Sequence, residues 1–87
     1  MWRIEYDDIA EADILRLDKP IRERILKFFG VRVAQHPDPK ALAETLAGPY
    51  RGLWRFRIGD YRAICDIQDD RLIVLVLEVG HRGDVYR

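Results

Sequence analysis

YRGLWRFRIGDYRAICDI, running from Tyr50 to Ile67, places two alternating apolar–polar runs on either side of Gly59-Asp60. Such runs joined by Gly-Asp predict a β-hairpin, because glycine supplies the positive φ that a tight primed turn demands. Side chains two apart share a face. Trp54, Phe56 and Ile58 therefore lie on one side, and Arg51, Leu53, Arg55 and Arg57 on the other. A two-residue turn sets Ile58 opposite Tyr61, Arg57 opposite Arg62 and Arg55 opposite Ile64. Arg55, Arg57 and Arg62 thus converge on one patch of a sheet whose other side is apolar. Like charges across a ladder cost a fraction of a kcal/mol, so the patch is expected to hold an anion.

Outward from the hairpin, the rest of the sheet and its cover can be placed. Leu72 to Val79 is an almost unbroken apolar run, which suits a central strand buried on both faces. Glu78 is its misfit and falls on the helix side in an uninterrupted register, unless a bulge or a cationic partner intervenes. Upstream, Trp2-Arg3-Ile4-Glu5-Tyr6 alternates as a first strand. Asp8 followed by Glu11 resembles a capping box opening a helix to about Leu17. Pro20 suits the first turn of a second helix reaching about Ala34, with Ile21, Ile25, Phe28, Phe29 and Val33 inward and Arg22, Arg24, Lys27 and Arg32 outward. Gly30 weakens that helix, and His36-Pro37-Asp38-Pro39 stops it. Residues 40–48 fit either two helical turns or an ordered loop. The order predicts an α+β fold: an N-terminal strand, a two-helix hairpin, then a three-stranded antiparallel meander. The helices lie on one face and cover Trp54, Phe56, Ala63, Cys65, Val74 and Val76.

Composition narrows the chemistry. Eighty-seven residues make one domain that hides roughly 60% of its unfolded surface. No apolar run approaches the roughly 20 residues of a membrane span, and no signal-peptide pattern is present. The lone cysteine, Cys65, excludes an internal disulfide and suits a reducing cytosol. Fifteen basic and fifteen acidic residues cancel, but unevenly. Residues 1–18 carry two arginines against six carboxylates, whereas residues 19–32 carry five cations against Glu23. Serine and asparagine are absent and Thr45 is the only threonine, which argues against hydroxyl-nucleophile catalysis. His36 and His81 have no neighbours at ligand spacing, so neither a metal nor another cofactor is expected.

The string GDYRAI at residues 59–64 and the tail VGHRGDVYR at residues 79–87 resemble the RelE branch of the RelE/ParE toxin superfamily, and the likeness spans the whole chain. It implies a RelE-like fold and a cytoplasmic toxin of a type II toxin–antitoxin system. It also implies a ribosome-dependent mRNA endoribonuclease, acting on mRNA in the ribosomal A site and held inactive by a cognate antitoxin. By position, the family's catalytic residues fall on Arg55, Arg57, Arg62, Arg82 and Tyr86.

The residues suit that reaction. Attack by an RNA 2′-hydroxyl needs a base, an acid for the leaving 5′-oxygen, and cations around the phosphorane-like transition state. Arg55, Arg57 and Arg62 are assigned to charge stabilisation. Tyr86 is the candidate base, its ordinary pKa near 10 lowered by adjacent arginines. Arg82 or His81 would stand near the leaving group. Arg51 and His81 are further RNA-binding candidates. The alternatives are a ParE-like inhibitor of DNA gyrase, which shares the fold but needs no catalytic tail, and a catalytically weak member that mainly binds its antitoxin.

Overall fold

A computed structural model describes residues 1–83. In chain order it contains β1 (Arg3–Tyr6), α1 (Asp8–Leu15), α2 (Lys19–Lys27), a π-helical turn (Phe28–Val33) and a 3₁₀ turn (Pro39–Leu42). There follow β2 (Glu44–Thr45), a second 3₁₀ turn (Gly48–Tyr50), β3 (Trp54–Ile58), β4 (Tyr61–Gln68) and β5 (Ile73–His81). The strands form one mixed sheet in the order β1-β5-β4-β3-β2, with β1 parallel to β5 and the other pairs antiparallel. The α+β fold and its meander are those expected, and the apolar run at 73–79 is central. β2 is an addition. It takes up part of the stretch that fitted helix or loop equally well, and it is only two residues long.

Local chemistry sets the helix ends. Asp7, one residue earlier than the sequence pattern suggests, caps α1 by accepting the Ala10 N–H at 2.9 Å. Its carboxylate satisfies one of the donors that a helix start leaves open. Pro20 occupies the first turn of α2. Gly30 does not end the helix; it lies in a π-helical turn in which Ala34 N–H donates to Phe29 O at 2.9 Å. That wider turn keeps Phe29 and Val33, four residues apart, both fully buried.

The helices cover one face of the sheet. Ile25, Phe29 and Val33 pack with Phe56, Ala63, Cys65, Val74 and Val76, all at 0% exposure. Phe29 sits at the centre, its ring edge-to-face with Tyr6, Phe28 and Phe56 at centroid distances of 6.2, 5.3 and 5.4 Å. Trp54, expected in the core, is only half-buried at its margin, and the Lys40 ammonium lies 5.4 Å from its ring centroid. Leu72, expected to open the last strand, is instead a turn residue with φ 54° and 48% exposure.

Burial of the Tyr6 phenol, joined by charge on the nearby Cys65 sulfur, pushes its pKa from 10.0 to about 12. The folded state therefore resists ionising it. The stability contributed by neutral Tyr6 is complete below pH 10.0 and is lost as pH rises toward about 12. Urea midpoints measured across that window should fall more steeply for the wild type than for Tyr6→Phe. Equal slopes would disprove this linkage.

Candidate functional site

The β3–β4 ladder has the register read from the turn: Arg57 opposite Arg62, Arg55 opposite Ile64 and Ile58 opposite Tyr61. β2 adds Glu44 opposite Arg55. Directly opposed residues share a face. Glu44, Arg55, Ile64 and Glu78 therefore form one row across the sheet on the side away from the helices, and Arg57, Arg62 and Gly80 form the next.

Glu78 joins this face through a β-bulge. Cys65 pairs with Val76 but Ile64 pairs with Glu78, so Leu77 is the extra residue and side-chain alternation reverses beyond it. Val79 turns to the core in place of Glu78, and its N–H donates to Asp13 Oδ2 on α1 at 3.0 Å. The uninterrupted register put Glu78 on the helix side; the bulge corrects that.

The chain carries its own anion for the arginines. Arg57 Nε donates to Glu44 Oε1 at 2.6 Å and Nη2 to Oε2 at 3.4 Å. Arg55 Nη2 lies 3.3 Å from that same Oε2. Hydrogen bonding from Arg55, then from Arg57, holds the Glu44 carboxyl below its ordinary value of 4.5. Glu44 is thus ionised at neutral pH and a feeble proton acceptor. The Arg57 and Glu44 side chains remain 54% and 47% exposed. Pairs this wet are screened by solvent and stabilise little, so an incoming phosphate has little to displace. Two guanidinium forks that already hold one carboxylate match the oxygen spacing of a phosphodiester.

The other predicted residues divide. Arg62 Nη1 donates to the carbonyls of Gly59 at 3.1 Å and Tyr61 at 3.0 Å, folding its guanidinium against the turn. Arg82 N–H donates to Asp60 O at 2.8 Å, which ties the start of the tail to the same end of the sheet. Arg51 does not share the strand face. The ladder begins at Trp54, and Arg51 is exposed in the preceding turn, its N–H on Gly48 O at 3.1 Å. His81 pairs with Tyr61 and stands perpendicular to its ring at 5.4 Å. It lines a groove with Asp13, Arg16 and Leu17 of the α1 side. The sheet separates it from the arginine row, so it is not positioned beside a leaving group there. Tyr86 lies outside the described residues.

Glu44 is the residue that sequence reasoning missed. Its strand pairs at two positions only, too few for a period to register, and no other signal in residues 40–48 marks it.

The fold is that of a toxin class. Residues 4–86 match the family described as ParE toxin of type II toxin-antitoxin system, parDE, and the chain belongs to that family. It is 28% identical to Toxin RelG of Mycobacterium tuberculosis over 99% of this chain and 97% of that protein. It superposes with TM-score 0.85 on a chain of the toxin–antitoxin complex RelBE2 of M. tuberculosis, at 23% identity and covering 93% and 98% of the two chains. For the isolated RelE toxin of E. coli the TM-score is 0.71 at 24% identity, covering 99% and 92%. Among the described residues no helix is long and apolar enough to cross a membrane.

Proposed function

We propose that this chain is a ribosome-dependent mRNA endoribonuclease, acting through the RNA 2′-hydroxyl without a cofactor and neutralised by a cognate antitoxin. The observation that carries this reading is the convergence of Arg55 and Arg57 on the two oxygens of Glu44, at 3.3 Å and 2.6 Å. A scissile phosphate takes the place of that carboxylate. Arg55 and Arg57 hold its non-bridging oxygens, and Arg62 and Arg82 supply positive charge from the hairpin end. Tyr86, as its phenolate, removes the 2′-hydroxyl proton, the 2′-oxygen bonds to phosphorus, and the 5′-oxygen leaves, taking its proton from water. The products are a 2′,3′-cyclic phosphate and a free 5′-hydroxyl. A set without a strong general acid suits an enzyme whose substrate is positioned for it by the ribosome.

Antitoxin partnership is supported by relatives solved as toxin–antitoxin complexes, among them RelBE2 of M. tuberculosis and RelBE of E. coli. The ParE family match favours a second reading, gyrase inhibition. Mapping mRNA 5′ ends after induction without antitoxin decides between the two. Cuts inside reading frames that disappear when translation is blocked are expected. Growth arrest with intact mRNA and broken chromosomes would select the gyrase reading.

A further inference from the structure

Glu44 is a carboxylate at the phosphate position that the cleavage chemistry does not use. It is exposed, and β2 holds it opposite Arg55, with Arg57 on the same face two residues along. Both guanidiniums meet it, Arg57 Nε at 2.6 Å on Oε1 and Arg55 Nη2 at 3.3 Å on Oε2. Lys40, four residues upstream, is engaged by Asp69 instead. A single positive charge is therefore left over where two guanidiniums converge. The Arg55 side chain is only 22% exposed, so little of it stays open beside the carboxylate.

We propose that Glu44 is a specificity-determining residue: a resident competitor that keeps the phosphates of free RNA off Arg55 and Arg57, so that the pair accepts a phosphate only from RNA already held in place. The inference rests on the nuclease reading above and deepens it, by giving the chain a means of sparing RNA outside the ribosome. Glu44 is tethered to the sheet and meets the arginines intramolecularly. A phosphate on RNA in dilute solution must bear the entropy cost of association before it can compete. A phosphate fixed on the ribosome has no such handicap, and a solvent-screened contact yields to it. A purely structural role is disfavoured, because β2 pairs at two positions only and little of the fold depends on it.

Glu44→Gln tests this by keeping the side chain's size and one acceptor while removing its charge. Titration of the purified chain with a 2′-O-methylated single-stranded RNA, which it cannot cut, should show affinity raised by about threefold or more at low salt. The log–log salt slope should steepen by up to about 0.7. Glu11→Gln removes the same charge from α1, across the sheet, and should change neither. The gain should shrink when Glu44→Gln is made in the Arg57→Ala chain, where one of the contested guanidiniums is missing. Cleavage of free mRNA relative to mRNA on ribosomes should rise. Unchanged or weaker RNA binding by Glu44→Gln overturns the proposal. An equal gain from Glu11→Gln also overturns it, by reducing the effect to net charge. Cleavage lost on ribosomes with RNA affinity unchanged does the same, leaving Glu44 as a residue that only aligns the arginines. A wild-type chain that leaves mRNA intact on ribosomes sinks the nuclease reading, whereas tighter RNA binding by Glu44→Gln in that chain would still establish the competition.

Discussion

Arg57→Ala is expected to lower mRNA cleavage on translating ribosomes by about 10²- to 10³-fold, the loss typical of removing one donor aimed at developing charge. Stability should barely move. The side chain is 54% exposed, and among the described residues its side-chain bonds go to Glu44, a solvent-screened surface contact of little net worth. Arg57→Lys should recover part of the activity, because it keeps the charge while losing the fork that engages two oxygens at once. Affinity for single-stranded RNA should become less salt-sensitive, the log–log slope flattening by about 0.7 for the lost phosphate contact. A folded Arg57→Ala protein that cuts at the wild-type rate would remove this guanidinium from the mechanism.

Phe29→Ala should destabilise the fold by about 3–5 kcal/mol. The ring is fully buried and touches Tyr6, Phe28 and Phe56 edge-on. Its removal takes away transfer free energy and leaves a cavity that helix and sheet cannot both close. An 87-residue chain has about 4–13 kcal/mol of stability at 0.05–0.15 kcal/mol per residue, so the loss consumes a large share. The urea midpoint should drop sharply with an unchanged m-value. A drop worth less than about 1 kcal/mol would mean that the aromatic cluster is not the centre of the core.

How far each feature could be read from the chain depended on how many residues encode it. The hairpin register was legible because Gly59-Asp60 leaves only one alignment of the flanking runs, and Arg57 opposite Arg62 follows from it. The central position of β5 was legible from a long apolar run. The bulge was not, because an extra Leu77 looks like any other apolar residue in that run; Glu78 was its only trace, as a charge on the wrong side. The face taken by His81 depends on that same bulge, since alternation reverses past Leu77. β2 carried no period, and so Glu44, the carboxylate that organises the arginines, stayed hidden. The π-helical turn at Gly30 was visible only as a weak point in the helix.

The placement of β5 bears on how the protein is made. It lies between β1 and β4 in the sheet yet occupies residues 73–81 of the chain. Arg3 pairs with Ile73 across almost the entire length of the polypeptide. During synthesis, which proceeds at about 5–20 residues per second, the N-terminal strand and the hairpin both wait for a neighbour that emerges after them. The nascent chain therefore cannot close its sheet until residues 73–81 have been made. The order of the strands thus makes completion of the sheet depend on the strand that is synthesised after the other four.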